Sequence, residues 1–106
     1  MIRGDSSDYE LLKKWCETTP IYNPKDRFYS LEIGVREGLG SKIIMDAFNQ
    51  RLKGHPYMHF GIDPYGNLNY QHYDNSGAYT CDYTDDMYEQ MVKDFEGYAM
   101  FNIIKM

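Results

Sequence analysis

Glu32, Gly34, Gly38 and Gly40 fall within the stretch "LEIGVREGLG" at 31–40 and set out the pattern E-x-G-x-x-x-G-x-G. Glycines between an apolar strand and a helix keep side chains off the backbone and leave the helix N-terminus, with its N–H groups and dipole, facing an electron-rich ligand. A dinucleotide-binding turn places G-x-G-x-x-G here, so that a pyrophosphate rests on the helix terminus. The spacing in this chain does not supply that pattern, which disfavours a nicotinamide-dependent oxidoreductase. Further along, "HFGIDP" at 59–64 ends a second apolar stretch with Asp63. A carboxylate there can accept hydrogen bonds from both hydroxyls of a ribose, as a nucleoside pocket requires, or can simply form a turn before Pro64. Glu32 likewise has two readings, proximity to a cofactor or support of the glycine loop.

These residues need a strand, a loop, a helix and a second strand to bring them together. "FYSLEIGV" from Phe28 is short, apolar and ends in glycine, which fits a strand covered on both faces in a parallel sheet. Ser41 can then cap a helix whose apolar positions Ile43, Ile44, Ala47, Phe48 and Leu52 recur at helical spacing, with Arg51 and Lys53 at its negative end. "YMHFGID" is the second strand and completes a β-α-β unit. Upstream, Ser7 and Glu10 form a capping-box pattern for a helix over 7–18, with Leu11, Leu12, Trp15 and Cys16 on one face. Residues 65–83 show no clean period and read as a long loop. Thr84 caps a further helix with Asp85 and Asp86 in its first turn, and "AMFNIIKM" gives a third apolar strand. The fold predicted is α/β: one domain over 1–106, with a Rossmann-like parallel sheet of three strands and flanking helices, and a β-α-β-α-β core over 28–106.

Composition narrows the function classes. The chain has 106 residues, 42% of them hydrophobic, which suits one small domain with a modest core. A net charge of −5 without a dense Lys/Arg run argues against a nucleic acid or an anionic membrane as partner. Cys16 and Cys81 lie far apart with no ligand spacing, and the N-terminus carries no apolar signal core. A reduced, cytoplasmic protein is expected. His55 and His59 are four apart, but on a loop and a strand their rings diverge, so no metal site is expected there. His72, in the tyrosine-rich 65–83 segment, is suited by type to general-base work, although a solvated loop histidine is the commoner case. Asp74, Asp82, Asp85 and Asp86 offer oxygen ligands of the kind Mg²⁺ takes, without a partner acid to complete a site. No catalytic residue is assigned.

"LEIGVREGLGSKIIMDAF" together with "HFGIDPYGN" resembles the N-terminal part of class I S-adenosylmethionine-dependent methyltransferases, within them the small-molecule and sugar O-methyltransferase-like group. The resemblance implies that Glu32 and Gly34 lie beside the methionine part of S-adenosylmethionine, that Gly38 and Gly40 shape the following turn, and that Asp63 takes the ribose. A small-molecule acceptor is implied as partner. Members of that family continue beyond a third strand, whereas this sequence stops at "FNIIKM", so it reads as the first half of such a domain. In a half sheet ordered 3-2-1, the strand over 28–34 lies on an edge, and a homodimer or higher oligomer that covers this edge is expected. The alternative function is a non-catalytic α/β module that acts through assembly.

Overall fold

The computed structural model of the chain describes residues 2, 4, 8–21, 27–63, 65, 68–74 and 77–105, with 68–74 and 77–83 described by their backbone. In chain order the elements are α1 (Tyr9–Thr18), β1 (Phe28–Ile33), α2 (Leu39–Leu52), β2 (Tyr57–Asp63), β3 (Leu68–Asp74), β4 (Gly77–Tyr83), α3 (Asp85–Asp94) and β5 (Phe101–Lys105). β1, β2 and β5 form a parallel sheet in the order β1-β2-β5, and β3 and β4 form a separate antiparallel pair. The arrangement is Rossmann-like α/β, with a small sheet, flanking helices and β1 on an edge as expected.

All three helices lie on one face of this sheet. Phe48 of α2 packs on Phe28 and Tyr57, and Phe95, just after α3, packs edge-on against Phe101. Since side chains alternate along a strand, Phe28, Ser30 and Glu32 of β1 face the helices with Tyr57, His59, Gly61 and Asp63 of β2. Tyr29, Leu31 and Ile33 point the other way and are exposed, which corrects the expectation that β1 is covered on both faces. The apolar run of β1 is therefore real, but half of it meets no helix.

The core is made by Cys16, Val35, Met45, Phe48, Tyr57, Tyr65, Met91 and Phe95. Arg51, at the negative end of its own helix, reaches across to another. Its guanidinium donates to the carbonyls of Cys16 (2.7 Å) and Thr19 (2.6 Å), satisfying acceptors left open at the C-terminus of α1 and docking that helix on α2. Ser7 lies outside the described residues; α1 begins at Tyr9, with Asp8 in the N-cap position. Thr84 caps α3 as expected, accepting from the Met87 N–H at 3.1 Å.

The 65–83 segment is not one long loop. Leu68–Asp74 and Gly77–Tyr83 pair in register from Leu68↔Tyr83 to Asp74↔Gly77, which leaves a two-residue connection at 75–76. "DNSG" at 74–77 is turn chemistry, and Tyr70, Tyr73, Tyr79, Thr80 and Tyr83 supply the aromatic and β-branched types that favour strands. With no single apolar face to give a period of two, the pattern is invisible to a search for alternation.

Candidate functional site

The β1–α2 loop is built on two left-handed glycines. Gly34 has φ +91°, and its N–H continues the ladder to the Ile62 carbonyl at 2.8 Å. A Cβ built at Gly34 would meet none of the described residues within 4 Å, so this backbone lies open at the C-terminal end of β1. Gly38, at φ +102°, is the N-cap of α2 and is enclosed: a Cβ there would stand 2.4 Å from the Phe95 ring. The glycine at 38 thus admits Phe95 to the start of α2, a packing role rather than the shaping of a ligand-facing turn.

Helix α2 begins at Leu39, and Gly40 and Ser41 both belong to its first turn. Ser41 is therefore no cap. Its buried hydroxyl donates to Glu32 Oε1 instead. Gly40 is small for the same reason, since a Cβ would come 2.9 Å from Glu32 Oε2. Of the two readings of Glu32, the geometry fits support: the carboxylate is clasped between β2 and α2.

The bonds of Glu32 continue into a polar chain that the sequence did not reveal. Glu32 Oε1 lies 3.1 Å from His59 Nε2, His59 Nδ1 lies 2.7 Å from Ser30 Oγ, and Ser30 Oγ lies 2.6 Å from the Tyr57 hydroxyl. A carboxylate only accepts, so Nε2 carries the imidazole proton, Nδ1 accepts from Ser30, and Ser30 accepts from Tyr57. For a neutral imidazole this assignment gives every proton in the chain an acceptor. Burial pushes the Tyr57 phenol up to about 12, which keeps it a donor. Hydroxyl, imidazole and carboxylate follow the order of a nucleophilic triad. Ser30 also forms part of the wall of a groove of about 370 Å³ between α1 and β1, but its oxygen is engaged on both sides and His59 has no exposed surface. The chain holds β1, β2 and α2 together.

Asp63 sits beneath the open loop. It is fully buried, and its Oδ2 accepts from the Arg36 N–H at 2.6 Å, while Oδ1 has no hydrogen-bond partner among the described residues. Tyr65, its ring packed at a tilt against Tyr88, donates to the Arg36 carbonyl, so the peptide at 36 is held at both ends. Burial raises the Asp63 carboxyl above its ordinary value, and the N–H groups of Arg36 and Val35 pull it partway back. Of the two oxygens expected to serve a ribose, Oδ2 is committed to the Arg36 N–H, and Oδ1, though the Val35 N–H also acts on the carboxylate, forms no hydrogen bond among the described residues. Gly34 and Asp63 are thus the expected residues with capacity for a ligand, while Glu32, Gly38 and Gly40 are engaged within the protein.

The side chains of His72, Asp74, Cys81 and Asp82 lie outside those described. Asp85 pairs with Lys105 at 3.0 Å. His59, with both ring nitrogens engaged, has none to offer a metal, and among the described residues no three His, Cys, Asp or Glu side chains form a metal-binding group. Cys16 is a free, buried thiol, pushed up by burial. Among the described residues no helix is long and apolar enough to cross a membrane. No family model, curated protein or solved structure matches the chain.

Proposed function

We propose that this chain is a methyltransferase-type domain that binds S-adenosylmethionine at the C-terminal ends of β1 and β2 and serves a small-molecule acceptor in the cytoplasm. The observation that carries the reading is a buried acceptor without a donor among the described residues, Asp63 Oδ1, beneath a loop whose backbone is open at Gly34. A buried polar atom left unpaired is destabilising, and a ligand hydroxyl is one group that would relieve it. In this reading Gly34 leaves room for the methionine part, and Asp63 accepts from one ribose hydroxyl through Oδ1 while Oδ2 stays on Arg36. Glu32, Gly38 and Gly40 act one layer back, holding β1, α2 and α3 around the seat. When bound, the cofactor supplies a sulfonium methyl for transfer to an oxygen or nitrogen, and the chain contributes alignment.

Asp63→Asn tests this with two readouts that move in opposite directions. Binding of S-adenosylhomocysteine, measured by calorimetry, is expected to weaken by about tenfold or more, the scale for removing a charged hydrogen-bond partner. Stability should respond in the opposite sense. Because the folded carboxyl titrates above its ordinary 3.8, the folded state holds the proton more tightly than the unfolded state. The contribution of Asp63 is therefore fully present below 3.8 and is lost as pH rises through the folded value. A carboxamide at this position does not titrate, so the variant should gain on the parent as pH rises through that window and keep its advantage at neutral pH. Unchanged affinity in the variant would count against the ribose role. A folded parent that binds no S-adenosylhomocysteine would favour the second reading, a non-catalytic module acting through assembly, which the exposed apolar side chains of β1 support.

A further inference from the structure

The face of the sheet turned away from the helices carries Tyr29, Leu31 and Ile33 from β1, Met58, Phe60 and Ile62 from β2, and Ile104 from β5. The helix-covered face of the same strands carries Ser30, Glu32, His59 and Asp63. The sheet is therefore more apolar on its open side than on its covered side, the reverse of what water on that side would select. Asn102 is the polar residue there, and its amide is tied back to the Met100 carbonyl at 3.1 Å. Arg27, whose guanidinium reaches the Met58 sulfur, stands at the rim. Tyr29 and Phe60 already pack together within the face, ring centroids 6.1 Å apart.

We propose that this face is the interface with a second copy of the chain, the two sheets packed face to face about a two-fold axis. Tyr29, Leu31, Ile33 and Ile104 are exposed by 56%, 63%, 81% and 40%. At roughly 200 Å² for a whole residue of this size, these and the partly buried Met58, Phe60 and Ile62 present on the order of 600 Å² per protomer. Two copies then bury about 1,200 Å², which reaches the lower bound of stable specific interfaces. The strands place no charged side chain on this face, so a chain of net charge −5 meets no like-charge repulsion where the copies touch. An isologous contact also lets every apolar side chain face the same patch on its partner. Packing through the face removes apolar area from water, whereas pairing through the free β1 edge alone would leave that area exposed. The dimer forms with or without cofactor.

Sedimentation velocity of the full chain over a wide concentration range tests the interface, with Ile33→Lys and Ile104→Lys as variants. These positions lie on the two outer strands, β1 and β5, separated by β2, so their strands are about 10 Å apart. Both side chains point away from the helices, so each variant should keep the circular dichroism spectrum and the urea midpoint of the isolated protomer. The parent is expected to dimerise, and each lysine to weaken the dimer by about 100-fold or more, since a lone ammonium would be buried against an apolar partner. A parent that stays monomeric at every concentration overturns the proposal. A dimer that persists in Ile104→Lys but not in Ile33→Lys also overturns it, and identifies pairing through the β1 edge instead.

Discussion

Gly38→Ala is expected to remove about 2–5 kcal/mol of stability, summing a left-handed residue at about 1–2 kcal/mol and an overpacked contact at about 1–3 kcal/mol. Both terms are visible at that position. The backbone has φ +102°, and the new methyl would stand 2.4 Å from Cε2 and 3.0 Å from Cζ of the Phe95 ring. Phe95 cannot easily yield, because it is buried and packs edge-on against Tyr98 and Phe101, with centroids 5.1 and 4.9 Å away. A small domain holds about 5–15 kcal/mol in all, so the variant should be marginal, and urea unfolding followed by circular dichroism will show it. Gly34→Ala is the control. It carries the same kind of strain at φ +91° with none of the described residues within 4 Å, and should lose only the first contribution, about 1–2 kcal/mol. The difference between the two variants isolates the contact with Phe95, and trimming that ring with Phe95→Leu should narrow it. Equal losses at 34 and 38 would show that Phe95 is not what requires glycine at 38.

The contrast between these glycines shows how far the chain could be read before folding. β1, α2, β2 and β5 were legible because each is a short apolar run bounded by glycine, proline or a helix period, and those signals are local. Asp63 was legible as the acid ending β2. What occupies the space beside a glycine is not local: Gly34 and Gly38 stand four residues apart in one motif, yet one is open and the other is filled by a phenyl ring 57 positions downstream. The buried polar chain was hidden for a related reason. In "YMHFGID" the alternate positions 57, 59, 61 and 63 face the helices, but Met58, Phe60 and Ile62 between them are the more apolar set. A pattern search assigns the apolar set to the covered side and so turns His59 outward. Its place was fixed by Glu32 and Ser30 on the neighbouring strand, through a register that no single stretch of sequence encodes. The β3–β4 pair is hidden because tyrosines at both odd and even positions of the sequence erase a period of two, leaving only the turn-type residues "DNSG" at 74–77 as a sign.

Glu32→Ala is expected to lower stability by about 2–6 kcal/mol, because it leaves the His59 Nε2–H and the Ser41 hydroxyl without an acceptor at about 1–3 kcal/mol each. A loss of that size could reflect any damaged core residue, so the telling measurement is how Glu32 couples to Gly40. Alanine is favoured over glycine inside a helix by about 1 kcal/mol, and Gly40 lies in the first turn of α2 with an ordinary helical backbone. On propensity alone Gly40→Ala should stabilise. With Glu32 present, however, the methyl would lie 2.9 Å from Oε2 of a carboxylate that Ser41 and His59 hold in place through Oε1, whereas its next neighbours, on Leu12 and Tyr9, are at an ordinary 3.8 Å. Gly40→Ala should therefore destabilise the parent by about 1–2 kcal/mol, as overpacking does. In the Glu32→Ala background the same substitution should stabilise by a few tenths to about 1 kcal/mol, because the obstructing oxygen is gone and the helix preference remains. A change of sign between the two backgrounds, read from urea midpoints in a double-mutant cycle, would establish that the carboxylate of Glu32 is fixed against the first turn of α2. The same loss in both backgrounds would mean that this carboxylate swings aside freely, and that glycine stands at 40 for some other reason.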